Sequence, residues 1–244
     1  MPAGTSYSFG PGPMTPAVRA IVYANIAVFV VTLFMPVPIV ETFGLSPTAV
    51  IEHYRIWQIV TYLFVHSPSQ LSHILFNMLA VWMFGVELER RWGTRAFVNY
   101  YFITGVGAGV SMILVSLLPF AATRATFGAV TIGASGAVYG LLMAWALIFP
   151  HRHILFMLLF PVPARVYVLI IGAIAFFSAV GASGGPVANV AHLGGLIVGF
   201  VYLKGPGNLR LDFRYRLTKW RMDRMRRRFN VHKGGRGNWE NRIH

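Results

Sequence analysis

Six apolar stretches dominate this chain: Ala17–Met35, Leu71–Val86, Ala96–Leu118, Gly133–Phe149, Ile154–Val180 and Val187–Leu203. A helix needs about 20 mostly apolar residues to cross the hydrocarbon core of a bilayer. In lipid the backbone has no water to bond, so each stretch must close its hydrogen bonds internally, as a helix. The pattern predicts an all-α polytopic membrane protein with six transmembrane helices. The second, fourth and sixth stretches are short and at 1.5 Å per residue cover only about 25 Å, so their outer ends are expected below the membrane surface. Only 11% of the residues are charged, against roughly a quarter in soluble domains.

Charge orients the spans. Thirteen of the 21 Lys/Arg lie from Lys204 onward, and Arg90, Arg91, Arg95, Arg152 and Arg165 fall in the connections after spans two and four. The alternate connections carry only Arg55 and Arg124. The positive-inside rule then places both termini in the cytoplasm. The expected organisation is a Pro/Gly/Ser-rich N-terminus without fixed structure (1–16), a six-span domain (17–204) and a basic cytoplasmic tail (205–244). Met1–Pro16 lacks the basic n-region of a signal peptide, and the run after Arg19 is read as a first anchor. A basic tail on a hydrophobic body points to a membrane surface rather than nucleic acid. For Leu209–Phe229 two readings stand level: an interfacial helix on anionic lipid, or an unstructured segment that fixes topology. With no cysteine in the chain, disulfides, thiolate catalysis and zinc–thiolate sites are excluded.

The spans hold few polar groups, and an ionisable residue in a membrane is a functional candidate because burying it is costly. His73, Ser135 and His192 lie near the starts of spans two, four and six. All three spans run in the same direction, so the three residues share one depth near the outer face. Asn77 follows His73 by four residues, on the same helix face. Ser135 sits in Gly133-Ala134-Ser135-Gly136 at the start of its helix, where small neighbours such as Gly133 allow close approach and unpaired N–H groups can stabilise an oxyanion. Alone this stretch reads better as a packing seam, Gly136 and Gly140 being spaced for one, and His192 is what shifts the reading. Ala191-His192-Leu193-Gly194-Gly195 continues to Gly199, and Gly195 and Gly199 form a second seam that would bring His192 beside Ser135. A serine needs an adjacent base, and neutral histidine serves near neutral pH. The spans offer no carboxylate to orient it, which gives a Ser-His dyad rather than a triad. His73 and Asn77 can donate toward the oxyanion, and Tyr139, one turn after Ser135, could pack on the imidazole. No cofactor is called for, and no metal, since a third convergent ligand and a His-Glu-x-x-His helix are both missing.

His73-x-x-x-Asn77, Gly133-x-Ser135-Gly136 and Ala191-His192-x-x-Gly195-x-x-x-Gly199, in this order on alternate spans from about Trp57 to Phe200, resemble the rhomboid family of intramembrane serine proteases. The resemblance implies Ser135 as nucleophile, His192 as base, an oxyanion hole of His73, Asn77 and the Ser135 amide, and Tyr139 stacked beneath His192. It implies membrane-protein substrates cut near the outer end of a transmembrane segment. Glu89-Arg90-Arg91-Trp92-Gly93 resembles the end of the family's second helix and is read as structural. The first long loop, 37–70, resembles the family's partly embedded first loop, with Trp57, Tyr62 and Phe64 as interface anchors. There the family's Trp-Arg pair is replaced by Trp57-Gln58. A transporter would place carboxylates in its spans, and an aspartyl protease would pair aspartates there; Asp212 and Asp223 both lie in the tail. The alternative is an inactive rhomboid-like membrane chaperone. The expected location is the bacterial inner membrane, with the bilayer and membrane-protein substrates as partners and anionic lipid as a candidate partner of the tail.

Overall fold

The computed structural model describes residues 10–119, 126–156, 159–180, 186–205 and 224. The chain divides into two compact units, Met1–Leu203 and Lys204–His244. Of the second unit only Lys204, Gly205 and Arg224 are described, so the readings of the basic tail, like those of residues 1–9 and Arg124, lie outside the described residues. The helices are α1 (Pro16–Phe34), α2 (Pro36–Phe43), α3 (Pro47–Glu52), α4 (Gln58–Thr61), α5 (Leu71–Trp92), α6 (Thr94–Ser116), α7 (Ser135–Ile148), α8 (Ala164–Val180) and α9 (Pro186–Lys204). Helices α1, α5 and α6 are long and apolar enough to cross a membrane, and α7, α8 and α9 are shorter apolar helices. Together they make the six-helix membrane bundle that the apolar stretches predict.

Two of the expected spans have different limits. The second does not stop at Val86: α5 continues to Trp92. The carboxylate of Glu89, 3% exposed, accepts from the N–H groups of Ala17 and Val18 at 3.0 and 3.1 Å, from the Thr94 hydroxyl at 2.7 Å and from the Thr15 hydroxyl. It thus caps the N-terminus of α1 from a neighbouring helix, where the Ala17 and Val18 N–H groups have no acceptor within the helix. The fifth span does not begin at Ile154. Residues His153–Phe156 (β1) and Phe160–Pro163 (β2) pair antiparallel, His153 opposite Pro163 and Phe156 opposite Phe160. Pro161 and Pro163 have no N–H to give a helix interior, and α8 starts directly after the second of them. Its first N–H groups turn back instead, Ala164 to the Arg152 carbonyl at 2.8 Å.

The N-terminal segment also departs from expectation. Residues 10–15 lie against α5: Trp82 Nε1 donates to the Gly12 carbonyl at 3.0 Å, and Arg90 donates to the carbonyls of Pro11 and Pro13 at 2.6 and 3.2 Å. Proline-rich backbone has spare acceptors and few donors, and the Trp and Arg donors of α5 take them up.

Close approach of helices positions the site. A β-carbon added at Gly136 would stand 2.6 Å from Ala108 Cβ on α6, and one added at Gly105 would stand 2.7 Å from Leu63. Gly195 and Gly199 of α9 lie directly against Gly136 and Gly140 of α7. Between membrane helices such packing holds by dispersion, because lipid tails remove the hydrophobic drive to associate. The Tyr100 hydroxyl adds a hydrogen bond to the Gly140 carbonyl at 2.8 Å.

Candidate active site

Ser135 is the first residue of α7, and the glycine seam with α9 brings His192 to it. His192 Nε2 lies 2.8 Å from Ser135 Oγ. For the hydroxyl to donate, Nε2 must be unprotonated, which puts the ring proton on Nδ1. Among the described residues Nδ1 is buried without a hydrogen-bond partner. The Tyr139 ring stacks on the imidazole, centroids 4.3 Å apart and planes within 2°. Such a stack restrains the ring plane, and among the described residues no carboxylate bonds Nδ1.

His73 and Asn77 reach the same place from α5. Both line, with Ser135, Tyr139 and His192, one cavity of about 860 Å³. It continues past Met83 and Ile171 to Ile154 and Leu155 of the hairpin, so most of its wall is apolar. Asn77 Nδ2 donates to the His73 carbonyl at 2.8 Å, which leaves its second amide hydrogen for the cavity. Gly133 has φ +114°, and a β-carbon there would stand 2.6 Å from His73 Nε2 and 3.8 Å from Asn77 Nδ2. Only glycine lets the turn before Ser135 pass so near both donors. All six candidate residues, Ser135, His192, His73, Asn77, Tyr139 and Gly133, therefore converge.

The first loop holds that turn. Leu45 and Thr131 exchange both backbone hydrogen bonds at 2.8 Å, and the Gly133 N–H donates to the Tyr62 carbonyl at 2.9 Å. Tyr62 is 1% exposed and donates its hydroxyl to the Gly105 carbonyl at 2.7 Å. It is core, not the interface anchor expected from its place in the loop. Phe64 is half-buried and meets Phe102, whereas Trp57 is exposed, with its indole N–H on the Thr42 carbonyl. At the Trp57-Gln58 pair, Gln58 is buried. It accepts from the Ser46 N–H and donates to the carbonyls of Glu41 and Thr42, while Arg55 donates to Glu41 as well. The Gln58 amide and the Arg55 guanidinium thus tie the Glu41–Thr42 backbone to this part of the loop.

One residue at the site has no counterpart in the sequence reading. His66 is fully buried, its ring centroid 5.0 Å from that of His73. Nδ1 lies 3.3 Å from the Phe64 carbonyl, and Nε2 accepts from the Ala134 N–H at 3.5 Å. Burial first, and the nearby His73 imidazole second, push its pKa down to about 4. It lies outside the apolar stretches, so no polar-in-membrane signal marks it.

Residues 53–205 match the model of the Rhomboid domain. The chain belongs to the rhomboid family. It is 33% identical over 138 residues to the mitochondrial Rhomboid protein 1 of Saccharomyces cerevisiae, covering 56% of this chain and 38% of that protein. To Rhomboid protease GluP of Bacillus subtilis it is 30% identical over 158 residues, covering 65% of this chain and 27% of the relative. To Rhomboid protease GlpG of Yersinia pestis it is 29% identical over 199 residues, covering 78% and 61%. This rhomboid thus spans between about a quarter and three fifths of the length of these relatives, and it is an integral membrane protein of a family that includes proteases.

Proposed function

We propose that this rhomboid is an intramembrane serine endopeptidase working through a Ser135–His192 dyad. The observation that carries the reading is the 2.8 Å contact between Ser135 Oγ and His192 Nε2 inside an apolar-walled cavity. As Oγ attacks a substrate carbonyl carbon, its proton passes to Nε2. The carbonyl oxygen becomes an oxyanion facing the His73 and Asn77 side chains and the Ser135 N–H, which has no intrahelical partner at this position. Collapse breaks the C–N bond, His192 returns the proton to the leaving nitrogen, and water hydrolyses the acyl-serine by the same steps in reverse order. The unpartnered Nδ1 favours a dyad, with Tyr139 orienting the ring.

The substrate is another membrane protein, cut near the outer end of a transmembrane segment. A regular helix hides its carbonyl carbons behind its own hydrogen bonds, so segments with helix-breaking residues at that end are preferred. We place the enzyme in a bacterial inner membrane with both termini cytoplasmic. The serine–histidine contact favours an active enzyme over an inactive membrane chaperone. In liposomes, Ser135→Ala and His192→Ala should each abolish cleavage of a single-span substrate while the protein stays folded. Unchanged cleavage in either variant overturns the assignment.

A further inference from the structure

The N–H groups around Ser135 have to be sorted. Gly133, Ala134 and Ser135 present three in succession at the start of α7, and an oxyanion hole needs the last of them aimed at one point. The first is taken by the Tyr62 carbonyl at 2.9 Å and the second by His66 Nε2 at 3.5 Å. Both partners come from one short segment, a 3₁₀ turn over Tyr62–Phe64 followed by Val65 and His66, and Tyr62, Leu63, Val65 and His66 are each at most 1% exposed. His66 also faces the other side of the site, its ring against that of His73. One buried imidazole thus touches both the backbone before the nucleophile and the His73 ring.

We infer that His66 is a positioning residue for the oxyanion hole: its Nε2 holds the Ala134 N–H out of the cavity and so fixes the turn that aims the Ser135 N–H with His73 and Asn77. The inference rests on the protease reading above. The role requires one tautomer. Nε2 must accept from Ala134, so the ring proton sits on Nδ1 and points to the Phe64 carbonyl. A side chain that places an acceptor where Nε2 stands should serve in its place, and one that reaches only as far as Nδ1 should not.

The test compares His66→Gln, whose amide oxygen reaches the Nε2 position, with His66→Asn, which stops at the Nδ1 position, and with His66→Leu. Cleavage of a single-span substrate in liposomes is measured for each, with unfolding midpoints alongside. Because the hole acts on the transition state, His66→Leu and His66→Asn should lose roughly tenfold to a hundredfold in kcat with KM little changed, and His66→Gln should recover most of it. A peptide aldehyde, which forms a tetrahedral oxyanion on the serine, should weaken in parallel with kcat. Equal kcat in all variants, a loss confined to KM, or a glutamine variant as slow as the asparagine one overturns the inference. Should His66→Leu fail to fold, the Gln and Asn pair decides alone. Failure here leaves the Ser135→Ala result untouched, whereas an active Ser135→Ala protein would sink the parent reading first.

Discussion

Gly195→Ala is the substitution whose effect the structure defines most fully. The added methyl would stand 2.9 Å from the carbonyl carbon of Gly136, where ordinary contact begins at 3.4 Å, and its nearest neighbour is the Gly136 oxygen. That oxygen belongs to helix backbone and cannot rotate aside. A carbon–oxygen pair needs about 3.5 Å, so α9 must move from α7 by about 1 Å or more. His192 rides on α9 three residues earlier, and its 2.8 Å bond to Ser135 would lengthen to nearly 4 Å, past hydrogen-bonding reach. A misplacement of about 1 Å costs on the order of a hundredfold in rate, and overpacking costs about 1–3 kcal/mol in stability. Turnover of a single-span substrate in liposomes reads the first, and thermal unfolding in detergent reads the second. Gly172→Ala is the control: its methyl would meet only the flexible end of Leu196, at 3.3 Å. Wild-type turnover in Gly195→Ala would refute the claim that the glycine seam sets the serine–histidine distance.

Three further outcomes follow from named contacts. Tyr139→Phe keeps the ring that stacks on His192 at 4.3 Å and should retain near-normal kcat, whereas Tyr139→Ala should lose about tenfold or more; equal kcat in the two variants would remove the stacking role. Glu89→Ala leaves two backbone N–H groups of α1 and two hydroxyls without their acceptor and should cost about 2–4 kcal/mol in an unfolding titration, while an unchanged midpoint would refute the cap. His66 binds a proton less readily in the folded protein, with its pKa lowered from 6.5 to about 4, and His73 is the titratable group facing it. The unfolded state therefore takes up the proton first, so the stabilising contribution is present above pH 6.5 and is lost as pH falls toward 4, by about 3 kcal/mol in all. His66→Gln should flatten that part of the stability–pH curve, and an identical curve in the variant would contradict the assignment.

The candidate site was legible because polar groups stand out in apolar sequence. His73, Asn77, Ser135 and His192 stand out in spans that hold few polar groups, and their places near the starts of three spans running in one direction imply a similar depth. Gly195 and Gly199 announce close packing by their spacing, and the structure sets them against Gly136 and Gly140. Apolarity alone could not separate the hairpin over 153–163 from the helix after it, although Pro161 and Pro163 carried a usable signal. The end of α5 was hidden for the opposite reason: Glu87, Glu89 and Arg90 look like an exit from the membrane, yet Glu89 is buried as a cap on α1. Tyr62 and His66 lie in a loop without periodicity. Their burial depends on α6 and α7, which are distant in sequence, and nothing local encodes it.

The proposed dyad requires that His192 activate Ser135. The most direct measurement is the rate at which a fluorophosphonate probe labels the protein in liposomes, with the modified residue mapped by mass spectrometry. Activation by His192 predicts labelling at Ser135 in the wild type, a rate lowered by orders of magnitude in His192→Ala, and no labelling in Ser135→Ala. Labelling of Ser135→Ala at the wild-type rate, or of His192→Ala as fast as the wild type, would contradict it.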